Sequence, residues 1–128
     1  MDCQDRKTNL EHGSILVVDD EALIRMTTMD IVEDAGYRAL EAANADEAVL
    51  LLERRPQIVA VLTDINMPGS MDGLQLSRLI RDRWPLIGLV ITSGRHLVKA
   101  GQMPAGAQFI AKPYTPNEIV SALQNCAA

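Results

Sequence analysis

Five short apolar runs, separated by stretches of helical periodicity, constrain this chain more than any other feature. They lie at residues 15–18, 37–42, 58–62, 86–91 and 108–111. Such alternation is the sequence pattern of βαβ units around a parallel sheet. Residues 15–18 are apolar at every position, as strands buried on both faces are. Residues 37–42 alternate and carry charge, which predicts an edge strand.

The intervening helices announce their ends. Residues 22–35 place Ile24, Thr28, Ile31 and Ala35 on one face, and Gly36 follows as a stop. Asn44 with Glu47 three residues on reads as a capping box, and that helix ends before Pro56. A third helix over residues 72–83 carries Leu76, Leu79 and Ile80. The last opens with Thr115 as cap, Pro116 at the first helical position and Glu118 completing a second capping box. Ile119, Val120 and Leu123 form its apolar face. Residues 95–102 are weaker, because Gly101, Pro104 and Gly106 interrupt them. The prediction is a (βα)₅ three-layer α/β sandwich whose fourth helix is short or irregular, over residues 14–125. Residues 1–13 form a flexible leader and 126–128 a tail.

Composition narrows the class. A chain of 128 residues supports one apolar core and leaves little room for a second. With aromatics at 3%, that core is built from Val, Ile, Leu, Met and Ala. A net charge of -5 and a pI near 4.9 count against nucleic acid and against anionic lipid as partners. No apolar run approaches the roughly 20 residues that span a bilayer, and residues 1–13 carry no apolar signal segment, so the cytoplasm is the expected compartment. Cys3 and Cys126 fit no metal spacing and are expected as free thiols.

Polar residues at the ends of the runs carry the chemistry. Asp19 and Asp20 follow the first run, Asp64 the third, Thr92 the fourth and Lys112 the fifth. The carboxyl ends of parallel strands share one edge, so these five side chains are expected in one cleft. Three crowded carboxylates call for a hard divalent cation, and Mg²⁺ favours few carboxylates plus water and phosphate oxygens. Lys112 supplies a fixed positive charge and Thr92 a hydroxyl donor. Together they predict a clamp for a transferring phosphoryl group, with Asp64 as nucleophile. Singly, each is an ordinary surface residue or cap, and Asp20 is also expected to cap the first helix.

These residues resemble the receiver domains of two-component response regulators. The resemblance rests on Ile15-Leu16-Val17-Val18-Asp19-Asp20-Glu21, Thr63-Asp64-Ile65-Asn66-Met67-Pro68 with Met71-Asp72-Gly73, Ile91-Thr92-Ser93-Gly94 and Phe109-Ile110-Ala111-Lys112-Pro113. It implies a flavodoxin-like sheet of order 2-1-3-4-5. It implies Asp64 as phosphoacceptor, and Mg²⁺, or alternatively Mn²⁺, held by Asp19, Asp20, Asp64 and the Asn66 main-chain carbonyl. Thr92, Ser93 and Lys112 would bind the phosphoryl group, Thr92 and Phe109 would form the switch, and the peptide before Pro113 would be cis. The implied donor is a sensor histidine kinase or a histidine phosphotransfer protein, docking near Leu23, Met26, Tyr114 and Pro116. The output is a downstream protein effector.

Two departures from the family pattern stand out. The 67–71 loop is one residue longer than usual. The weak fourth helix puts the usual dimer face in doubt, so a monomer or weak dimer is expected. No output domain follows Ala128 in this sequence, which suggests a stand-alone regulator; a shuttle or sink in a phosphorelay is the variant. An aspartate-nucleophile phosphatase needs an acid two residues after its nucleophile, where this chain has Asn66. No self-sustained turnover of an outside substrate is therefore expected. No glycine-rich nucleotide turn follows the first run, and an inactive receiver relic would lack the acids present here.

Overall fold

A computed structural model describes residues 13–94 and 103–127. The leader 1–12, most of the expected fourth helix at 95–102 and the final residue lie outside the described residues. Five strands, β1 (Ser14–Val18), β2 (Arg38–Ala42), β3 (Ile58–Asp64), β4 (Gly88–Ser93) and β5 (Gln108–Ala111), form one parallel sheet of order β2-β1-β3-β4-β5. Four helices are described: α1 (Ala22–Asp34), α2 (Ala45–Arg54), α3 (Gly73–Arg83) and α4 (Pro116–Ala127).

Strand pleating divides the core. Leu16 and Val18 of β1 join Val61 and Leu89 beneath α2 and α3, which bury Ala45, Ala48, Leu52, Leu76 and Ile80. Ile15 and Val17 point the other way, to Ala60, Leu62, Val90 and Ile110, with Val32 of α1 and Ile119 and Leu123 of α4 closing that face. Period-two alternation thus gives both layers from one strand. Register slips once: Ser14 pairs with Ile58 but Ile15 with Ala60, leaving Val59 as the extra residue. The bulge explains how Ile58 and Ala60, two apart, join opposite cores.

Several helix ends differ in detail from the sequence reading. The Asn44 side chain accepts from the Glu47 N–H, but the Glu47 carboxylate reaches back to the Ala43 N–H instead of Asn44. Thr115 and Glu118 make both bonds of a capping box. Asp72 and Gln75 make another at the start of α3, which the sequence reading overlooked. Asp20 caps nothing: Glu21 is the N-cap residue of α1 and contributes no side-chain bond there. Asp19 takes that role in part, accepting from the Glu21 N–H at 2.9 Å. Nor does β4 begin at Leu86, which is 96% exposed in the turn after Trp84. Residues 103–107 form turns into β5, with Gly106 at φ 79.

Candidate functional site

The carboxyl edge of the sheet brings Asp19, Asp20, Asp64 and Lys112 together. Asp19 and Asp20 directly follow β1, Asp64 ends β3, Thr92 lies in β4 and Lys112 directly follows β5. One oxygen from each of Asp19, Asp20 and Asp64 lies within 4.8 Å of the others. Lys112 Nζ sits 3.2 Å from Asp64 Oδ2 and 3.4 Å from Asp19 Oδ2. Asp19 and Asp64 are 4% and 5% exposed, whereas Asp20 is open to solvent. A cleft of about 410 Å³ opens beside Asp20 and Asp64, lined also by Glu21, Ile24, Asn66, Gly94 and Lys112.

Backbone bonds explain why the edge holds this shape. The Ile65 N–H donates to the Thr92 carbonyl, and Asp64 pairs in register with Thr92, so β4 sets the acid at the end of β3. The Lys112 N–H donates to the Ser93 carbonyl, which carries the lysine off β5 toward the acids. The Asn66 N–H donates to Asp64 Oδ1 at 3.4 Å. Thr92 and Ser93 are buried, while Phe109 is half-buried on β5 opposite Ile91. The Lys112–Pro113 peptide is cis. Tyr114, the next residue, shares a 2.6 Å hydrogen bond with Thr28 of α1. The 67–71 loop is anchored through Ser70 Oγ, which donates to Asp46 at the start of α2.

The electrostatics are those of an acid-rich pocket. Burial pushes the Asp64 carboxyl above its ordinary 3.8; the Lys112 ammonium pulls it back only in part, and Asp19 adds to the rise. Burial alone would lower Lys112, but Asp64 and Asp19 together outweigh it and hold its ammonium above 10.5. Both partners move upward, Asp64 because its burial outweighs the pull of the lysine and Lys112 because two carboxylates outweigh its burial. Three carboxylates thus face one ammonium. An oxygen-only donor set with one solvent-facing acid fits a hard divalent cation that retains water, as Mg²⁺ does.

Sequence reasoning missed two residues here. Arg25, one turn into α1, donates from Nη1 to the Asp19 carbonyl at 2.7 Å and pairs through Nε with Glu41 at 2.8 Å. Gly73 donates its N–H to the Ile65 carbonyl, and a Cβ on it would lie 2.0 Å from the Asp64 carbonyl oxygen. Gly73 stood in a motif of the family resemblance but without a role, and the clasp of Arg25 depends on Glu41, which only the pairing of β2 with β1 brings near.

A doubly wound parallel sheet of this order, with acids and a lysine at its carboxyl edge, defines a flavodoxin-like protein with its site at the switch in strand order. A family model, the response regulator receiver domain, matches residues 15–124, and the chain belongs to that family. It is 39% identical over 114 residues to the chemotaxis protein CheY of Thermotoga maritima, covering 85% of this chain and 92% of that protein. An NtrX-like response regulator of Rickettsia bellii is 35% identical over 114 residues, covering 86% of this chain and 24% of the relative. The chain thus spans about a quarter of the length of that regulator. A response regulator receiver protein from Sinorhizobium medicae superposes with a TM-score of 0.84 at 26% identity, covering 90% of this chain and 94% of the other. Among the described residues, no helix is long and apolar enough to cross a membrane.

Proposed function

We propose that the chain accepts a phosphoryl group from a phosphohistidine onto Asp64 and signals through the phosphorylated form. The observation that carries this reading is the Asp64 carboxylate, 3.2 Å from Lys112 and grouped with two further acids under an open cleft. An Asp64 oxygen attacks phosphorus, the bond from phosphorus to the donor imidazole nitrogen breaks, and its electron pair leaves with the imidazole. Lys112 balances charge on the phosphoryl oxygens, and the Thr92 hydroxyl and Ser93 complete their hydrogen bonding. Asp19, Asp20, Asp64 and the Asn66 carbonyl would hold Mg²⁺, or Mn²⁺ in its place. When bound, the ion supplies charge neutralisation for the incoming phosphoryl group.

The new phosphate adds about 1.5 to 2 negative charges and three strong acceptors. Thr92 drawn toward it, with Phe109 following on β5, forms the switch read by a protein effector. The donor, a sensor kinase or a histidine phosphotransfer protein, docks on the exposed start of α1. Leu23 is 80% and Met26 59% exposed there, and a 440 Å³ groove runs from Leu23 to Lys112, Pro113 and Tyr114. Pro116 lies exposed at the start of α4.

Incubation with Mg²⁺ and acetyl phosphate, followed by intact mass, tests the chemistry. The expected result is one added phosphoryl group, absent in Asp64→Ala and blocked by a chelator. Phosphorylation that persists in Asp64→Ala would reject Asp64 as acceptor.

A further inference from the structure

Asp19 is held at every polar group it has. Its N–H donates to the Ala42 carbonyl at 3.2 Å. Its Oδ1 accepts from the Glu21 N–H, and its Oδ2 from Lys112. Its carbonyl accepts from Arg25 Nη1 at 2.7 Å. Arg25 is itself anchored: Nε meets Glu41 Oε1 at 2.8 Å, and its side chain is only 15% exposed. Glu41 pairs in register with Val17, one residue before the Val18–Ala42 pair, so β2 presents the anchor beside the turn that carries the acids.

We propose that Arg25 is a positioning residue for divalent-cation binding: its fork, braced by Glu41, fixes the Asp19 carbonyl and thereby aims the Asp19 carboxylate into the acidic cleft. The inference rests on the reading of Asp19, Asp20 and Asp64 as cation ligands. Two physical effects of Arg25 oppose one another here. A guanidinium near a cation site repels the cation, so by Coulomb's law its removal would tighten binding. A guanidinium that holds a ligand-bearing turn contributes preorganisation, so its removal would weaken binding. Outer-shell partners of metal ligands typically contribute about 10- to 100-fold in affinity. The second effect dominates here, because Arg25 donates to the main chain of Asp19 at short range while its charge is largely balanced by Glu41. Lysine does not substitute, since one ammonium lacks the planar fork that spans a carbonyl and a carboxylate at once.

Mn²⁺ is the probe, its free concentration read from its electron paramagnetic resonance signal during titration into the full chain. Arg25→Met keeps the aliphatic stem and removes the fork; Arg25→Lys keeps the charge. The expected result is about tenfold weaker Mn²⁺ binding in Arg25→Met, and weaker binding also in Arg25→Lys, with metal-free circular dichroism like that of the parent. Binding equal to or tighter than the parent in Arg25→Met overturns the inference. If Arg25→Met does not fold, Arg25→Lys decides, and unchanged affinity there overturns it. A parent chain that binds no Mn²⁺ rejects the cation site and this inference together. A parent that binds, with variants that bind equally, rejects this inference alone.

Discussion

Gly73 lies directly against Asp64: a Cβ at position 73 would fall 2.0 Å from the Asp64 carbonyl oxygen and 2.7 Å from its carbonyl carbon. Both contacts are to backbone, which cannot swing aside as a side chain would. The first residue of α3 therefore sets how β3 ends, and the Gly73 N–H to Ile65 carbonyl bond closes the same joint. Gly73→Ala is expected to destabilise the fold by about 1 to 3 kcal/mol, the usual cost of overpacking, and to slow phosphorylation of Asp64. Urea unfolding and acetyl phosphate kinetics measure the two effects. A variant with parent stability would show that the joint gives way without cost.

Asp64 stands above its ordinary value mainly through burial. A carboxyl raised in the folded state adds stability that is complete below 3.8 and is lost as pH rises through the folded value. Without divalent cation, the charged Asp64 is thus a liability at pH 7, and Asp64→Asn is expected to unfold at higher urea than the parent there. The gain shrinks as pH falls below the raised value, and Mg²⁺ narrows it by stabilising only the parent. An Asn variant less stable than the parent at pH 7 in chelator would contradict this.

Lys112 has the matching behaviour at the alkaline end. Its ammonium is held above 10.5 by Asp64 and Asp19, so the stability it contributes is present at neutral pH and lost as pH rises through its raised value. Lys112→Ala leaves two buried carboxylates without their cation. The expected outcome is a lower urea midpoint in chelator at pH 7 and tighter Mn²⁺ binding, because a competing charge is gone. Weaker Mn²⁺ binding would reverse that assignment.

Leu23 and Met26 project from the first turns of α1, away from the core. Alanine at both positions is expected to abolish transfer from the cognate phosphohistidine donor while leaving phosphorylation by acetyl phosphate unchanged. Unchanged transfer from the protein donor would remove the docking role. Met26 does not line the groove that contains Leu23, so Leu23→Ala alone is expected to carry the larger share.

Burial pushes the Cys126 thiol above its ordinary 9.0, and its sulfur packs against Gly88 at the start of β4. In a Cys3→Ser background, alkylation of native Cys126 at pH 8 is expected to run about tenfold slower than in urea, because both thiolate and access are reduced. Equal rates would place the end of α4 off the sheet.

Local chemistry made much of this legible in advance. Continuous apolarity at residues 15–18 marked a strand buried on both faces, and charge on 37–42 marked an edge. Thr115, Pro116 and Glu118 marked a helix start, because a capping box is satisfied within four residues of chain. The grouping of the acids with Lys112 was recognisable because strand ends in a parallel sheet share an edge.

What local pattern does not encode is contact across the sheet. The distances from Lys112 to both Asp64 and Asp19, the clasp of Arg25 between Glu41 and the Asp19 carbonyl, and the space under Asp64 that only Gly73 fits all join separate segments. Short-range periodicity and capping are properties of neighbours along the chain and can be read there. The aim of each carboxylate depends on packing between strands tens of residues apart, and only the assembled sheet decides it.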